Sequence, residues 1–125
     1  MPKVLFVDDE KDLVSTMQKI FSRRGMEFHP AYAGQEAVDR AKEIYPDVVI
    51  LDIGLPDFDG FEVFRRLRQE STLKDVPVVF ITGTYPEKQI LGLKNGADDF
   101  ILKPFDVDEL LSRIQAVLRG YGHEE

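Results

Sequence analysis

With 125 residues, 14.3 kDa and 43% hydrophobic against 31% charged residues, the chain has the size of one domain with one core, and no apolar run approaches the length of a membrane span. Its 16 basic and 23 acidic side chains leave a net charge of −7, which argues against a sequence-independent hold on DNA or RNA built from lysine and arginine. The absence of cysteine removes disulfides, thiolate catalysis and cysteine-held metals, which fits a reducing cytoplasm, and with only Met1-Pro2-Lys3 before the first apolar run no export signal is expected.

Five short runs rich in β-branched and apolar residues recur, each followed by a segment of helical period, an alternation that predicts an α/β domain with a parallel sheet wrapped by helices. The first run, Lys3 to Val7, leads into a helix with the stripe Leu13, Met17, Ile20 and Phe21, with Asp9 as candidate N-cap and Gly25 as its stop. The second, Glu27 to Tyr32, contains Pro30, which cannot donate to a ladder and places this strand at an edge or a bulge. Ala37, Val38, Ala41 and Ile44 mark the second helix, before Pro46. The third and fourth runs, Asp47 to Leu51 and Val76 to Ile81, are apolar at consecutive positions, as central strands covered on both faces should be. Between them Phe61, Phe64 and Leu67 mark a third helix after Gly60, with Arg65, Arg66 and Arg68 beside Glu62 and Glu70 as its solvated face. A short fourth helix, weakened by Gly92, is expected from Pro86 to Asn95, and the fifth run spans Asp99 to Leu102. The last helix carries Val107, Leu110, Leu111, Ile114, Val117 and Leu118 on one face, with Asp106 and Glu109 as a capping pair.

In a parallel sheet with right-handed crossovers all strands end at the same edge, so residues that follow the runs meet there. The first run delivers Asp8 and Asp9, the third Asp52, the fourth Thr82 and Gly83, and the fifth Lys103. Each close pair among three carboxylates would repel by roughly 4 kcal/mol at an effective dielectric near 20. Lys103 offers one compensating charge, and the remaining oxygen ligands, with no cysteine or histidine nearby, suit a hard cation such as Mg²⁺. Such a cation completes its shell with phosphoryl oxygens, and a carboxylate ending a central strand is the natural nucleophile, which makes Asp52 the candidate for an aspartyl phosphate. Lys103 would then help to neutralise the transferring group.

At these residues the chain resembles a response-regulator receiver domain, the phosphoacceptor half of two-component signalling, over Lys3 to about Leu118. Asp8-Asp9-Glu10, the loop from Asp52 through Gly54, Pro56 and Asp57 to Gly60, Thr82-Gly83 and Lys103-Pro104-Phe105 occur in that family's order and spacing. The resemblance implies a flavodoxin-like, doubly wound sheet of five parallel strands in order 2-1-3-4-5, flanked by five helices. It also implies that Asp8, Asp9, Asp52 and the Gly54 backbone carbonyl hold Mg²⁺, that Asp52 is the phosphoacceptor, and that Thr82 and Lys103 reach the phosphoryl oxygens, Lys103 across a cis bond to Pro104. Phe100 would be the aromatic whose rotamer follows the state, at a position where the family often has tyrosine. By the same resemblance, Gly54 and Thr84 would fall at the family's positions that tune dephosphorylation. The implied partners are a sensor histidine kinase or phosphotransfer protein and, on the face of the fourth helix, fifth strand and fifth helix, a downstream protein or an output domain; neither nucleic acid nor membrane is expected to bind directly.

Taken singly, these residues have plainer readings: Asp9 as a helix N-cap, Thr82 as a strand residue, Lys103 as a surface lysine and Phe100 as core. It is five elements delivering matched residues to one edge that favours the switch. Residues 1–119 are expected to form the receiver and 120–125 a tail or the start of a linker, while His29 and His123 are assigned no role. Two other readings use the same residues: a Mg²⁺-dependent phosphohydrolase with an aspartyl intermediate, disfavoured because Gly54 stands where a second carboxylate would serve, and a pseudo-receiver that binds partners without phosphorylation.

Overall fold

The computed structural model describes residues 1–83 and 96–121. Five parallel strands, β1 (Lys3–Val7), β2 (Glu27–Ala31), β3 (Val48–Asp52), β4 (Val78–Thr82) and β5 (Asp99–Leu102), form one sheet in the order β2-β1-β3-β4-β5. The helices are α1 (Lys11–Arg23), α2 (Gly34–Ile44), α3 (Gly60–Gln69) and α4 (Val107–Gly120); the helix expected from Pro86 to Asn95 lies outside the described residues.

The sheet is covered on both sides, because successive residues of a strand point to opposite faces. Leu5, Val7, Val49, Leu51, Phe80 and Phe100 pack with Ala37, Val38, Val63 and Leu67 of α2 and α3. Val4, Phe6, Ile50, Ile81 and Ile101 pack with Met17 and Phe21 of α1 and Leu110, Ile114 and Leu118 of α4. Strands β3 and β4 are buried at all five positions, as their unbroken apolar runs require, whereas β2, with Pro30 opposite Phe6, takes an edge.

Several local expectations need correction. Asp9 does not cap α1: Asp8 Oδ1 accepts from the Glu10 N–H (2.9 Å), and this tight turn moves the N-cap position to Glu10, which makes no side-chain cap bond. Asp106 does cap α4, accepting from Asp108 N at 2.9 Å, but Glu109 turns down its own helix to Arg113 (3.1 Å) instead of back to the cap. Strands β3 and β4 end one residue later than their apolar runs, because Asp52 pairs with Ile81 and Thr82 with Leu102 in the ladder. Arg65 and Arg66 pair with Glu62 on the surface, but Arg68 lies over the Phe64 ring at 4.6 Å and donates to Val76 O at 2.8 Å, closing the turn after α3.

Candidate functional site

The chain leaves β1 toward β2 on one side and reaches β3 on the other, so a crevice opens between the C-terminal ends of β1 and β3. Asp8 follows β1 with no exposed surface, Asp52 ends β3 at 6% exposure, and Asp9 projects outward. Each offers a carboxylate oxygen, and the three oxygens lie within 4.8 Å of one another. Thr82 ends β4, buried at 1%, and its carbonyl accepts from the Lys103 N–H at 2.8 Å, which fixes the backbone from which the lysine reaches in. The Lys103–Pro104 bond is cis.

Lys103 Nζ is 2.7 Å from Asp8 Oδ2, 3.4 Å from Glu10 Oε1 and 3.5 Å from Asp52 Oδ2. Burial alone would lower the Lys103 pKa, but the close ionic contact with Asp8 and the charges of Asp52, Asp8 and Glu10 outweigh it and hold the ammonium above its usual value. Asp52 moves the other way for its class: desolvation and the neighbouring Asp8 push its carboxyl up to about 6, against the weaker pulls of Lys103 and the Gly54 N–H. One lysine therefore does not compensate the acids it serves.

The donor set fits a hard divalent cation. All three side chains are carboxylates, and Asp8 Oδ2, fully buried, has an ionic contact with Lys103 but no hydrogen bond of acceptable geometry among the described residues. A cleft of about 630 Å³ opens over the cluster, lined by Asp52, Gly54, Thr82 and Lys103 at its polar end and by Leu13, Met17 and Phe105 along an apolar wall.

The family model for the response regulator receiver domain matches residues 4–115. This chain belongs to that family. The receiver is 38% identical over 122 residues to the response regulator ArlR of Staphylococcus aureus, across 95% of this chain and 53% of ArlR, so it spans about half the length of the curated relatives it matches. Among solved structures it is similar to the receiver domain of Francisella response regulator 1452 (31% identity, TM-score 0.89, covering 97% of this chain and 99% of that one). It is also similar to the BeF3-activated N-terminal receiver domain of RstA from Klebsiella pneumoniae (31%, TM-score 0.86, covering 94% and 98%).

In the receiver, Asp8, Asp9, Asp52, Thr82 and Lys103 come together at one rim as the topology predicts, and Gly54 lies beside them, its N–H donating to Asp52 Oδ1 at 3.3 Å. Phe100 stands apart, 2% exposed, with its ring 5.8 Å from that of Phe80 in the core between the sheet and α2 and α3. Thr84 and His123 lie outside the described residues. His29 bridges Glu27 (2.6 Å) and Arg40 (3.0 Å) at the sheet edge, away from the cluster.

Three neighbours belong to the quoted motifs but carry no assigned role in the sequence reading. Glu10 shares Lys103, which only the fold reveals. Gly60 presses on the end of β3: a Cβ there would lie 2.5 Å from the Asp52 carbonyl oxygen and 2.9 Å from Ile53 Cα. Asp57 accepts from the N–H groups of Gly34 and Gln35 at the start of α2 (2.7 and 2.9 Å). The Pro-Asp-Phe-Asp-Gly run signals a turn, but a turn signal is local and does not name a partner more than 20 residues away.

Proposed function

We propose that this receiver is a phosphorylation switch with Asp52 as its phosphoacceptor. The observation that carries this reading is the trio of carboxylate oxygens within 4.8 Å of one another, with Lys103 Nζ bridging Asp8 and Asp52. Asp8, Asp9, Asp52 and the Gly54 carbonyl would hold Mg²⁺. When bound, the cation supplies the positive charge that lets Asp52 ionise beside Asp8 and draws phosphoryl oxygens into the cleft.

The donor is a phosphohistidine on a sensor histidine kinase or phosphotransfer protein, docked where the partly buried Leu13 and Phe105 border the site. An Asp52 carboxylate oxygen attacks phosphorus; the P–O bond forms as the P–N bond breaks, and the departing imidazole nitrogen keeps the electron pair and takes up a proton. Lys103 exchanges part of its contact with Asp8 for the phosphoryl oxygens, and the Thr82 hydroxyl, at the end of β4, donates to another. The domain catalyses only its own phosphorylation and dephosphorylation. The signal leaves through Thr82 and Phe100 to a downstream protein or an output domain, in the cytoplasm. No described helix is long and apolar enough to cross a membrane.

Intact-mass measurement after acetyl phosphate and Mg²⁺ tests acceptor and metal together. One phosphoryl mass should appear on the wild type, and none on Asp52→Asn or without the cation. Equal labelling of Asp52→Asn would overturn the assignment.

A further inference from the structure

The loop from Ile53 to Asp59 carries Gly54, which lines the cleft, yet it has no regular secondary structure of its own to hold it. One end is fixed by the backbone: Gly60 N–H donates to Ile53 O (2.9 Å), and the close approach of Gly60 to the Asp52 carbonyl leaves no space for a side chain. The outer part is held by side chains. The exposed Asp57 accepts from the N–H groups of Gly34, Gln35 and Phe58, at 2.7, 2.9 and 2.9 Å. Helix α2 has Ala33 at its N-cap position and no side-chain cap of its own, so Asp57 satisfies N–H groups that would otherwise lack a helical partner.

The same joint is packed as well as bonded. A Cβ on Gly34 would sit 2.6 Å from Phe58 Cε1, so the Phe58 ring lies flush against the helix start. The Arg66 guanidinium covers that ring at 4.0 Å and donates to Gln35 Oε1 at 3.1 Å. Burial works against the charge on Asp57, but its backbone donors prevail and hold its carboxyl below the usual range.

We propose that Asp57 is a positioning residue for the phosphoacceptor site: by fastening the loop after β3 to the start of α2, it holds the Gly54 carbonyl in place for the divalent cation. This rests on the reading of Gly54 as a cation ligand. Neither Asp57 nor Gly34 touches the metal or the phosphoryl group, so each acts through the loop.

The test is Mg²⁺ titration of the whole chain followed at the Gly54 amide resonance, with thermal unfolding recorded alongside. Asp57→Ala should weaken Mg²⁺ binding by about tenfold, the low end for residues that orient a ligand. Asp57→Asn, which keeps an acceptor oxygen, should recover part of the loss. Gly34→Ala, which disturbs the joint from the other side, should weaken binding in the same direction. Lys42→Gly lowers the helix propensity of α2 far from the loop and should leave Mg²⁺ affinity unchanged at a comparable loss of melting temperature. Wild-type affinity in Asp57→Ala, or an equal loss in Lys42→Gly, overturns the positioning role while leaving the phosphoacceptor reading intact. A wild type that binds no Mg²⁺ overturns both.

Discussion

Lys103 Nζ lies 2.7 Å from Asp8 Oδ2 and 3.5 Å from Asp52 Oδ2, so the lysine is held first by an acid that is fully buried and only second by the proposed phosphoacceptor. This is the arrangement expected of a site whose acids outnumber its bases: the lysine settles on the carboxylate that has lost the most water. Lys103→Ala should therefore destabilise the metal-free domain by about 2–4 kcal/mol, by leaving Asp8 buried without its ionic partner. The loss is read from urea unfolding with and without Mg²⁺, and the cation should recover most of it. A variant as stable as the wild type in chelator would show the contact to be ornamental.

The Asp52 carboxyl, raised from 3.8 to about 6, makes stability depend on pH in a definite sense. The fold favours the protonated group, so its contribution is complete below pH 4 and is lost as pH rises through about 6. A shift of about two units corresponds to roughly 3 kcal/mol. Asp52→Asn should accordingly be more stable than the wild type at pH 7 in the absence of metal, by about 1–3 kcal/mol, with the gap closing toward pH 4. Urea midpoints measured from pH 4 to 8 check both sign and window, and Mg²⁺ should narrow the gap at neutral pH.

Gly60→Ala should be among the costliest small substitutions in the chain. The added methyl would meet backbone on both near sides, the Asp52 carbonyl at 2.5 Å and Ile53 Cα at 2.9 Å, and neither can rotate away. Overpacking of this kind costs about 1–3 kcal/mol, and relief requires moving the strand end that carries Asp52, the proposed acceptor. Phosphorylation by acetyl phosphate should slow together with the fall in melting temperature.

Tyr45 is the only described residue other than glycine with a left-handed backbone, φ 51°, at the C-terminus of α2, and the residue is 58% exposed. Tyr45→Gly removes that strain and gives up little packing, so it should stabilise the domain by about 0.5–1 kcal/mol. Differential calorimetry checks the gain, and the phosphorylation rate should not change.

Phe100 begins the path proposed for the signal. With 2% exposure and its ring against Phe80, it starts from inside the core. Phe100→Ala should cost about 3–5 kcal/mol through the cavity it leaves. Phe100→Leu keeps most of that volume and should remain folded and phosphorylatable, while changing the chemical-shift response of β5 and α4 to phosphorylation. An unchanged response would remove Phe100 from the path.

Much of this was legible in the sequence, because it follows from period and order. Two successive apolar runs without alternation place β3 and β4 at the centre, Pro30 places β2 at an edge, and the requirement that parallel strands end together brings Asp8, Asp9, Asp52, Thr82 and Lys103 to one rim. Asp9 reads as the cap of α1 because aspartate is a capping residue by type, and only the turn that Asp8 makes with the Glu10 N–H shows that the helix begins one position later. Arg68 looked like its neighbours Arg65 and Arg66, yet its position on α3 points it at the carbonyls of Leu73 and Val76.

By itself the sequence determined which groups are available and on which edge they gather, since hydrophobic period and strand order are properties of the chain read along its length. Only the tertiary structure decided how those groups share one another. That Lys103 prefers Asp8, that Glu10 competes for it, that Gly60 must lack a side chain and that Asp57 caps a helix from another loop all depend on distances of 2.5–3.5 Å between residues remote in sequence. Interactions of that range fall steeply with separation and angle, so no pattern along the chain encodes them.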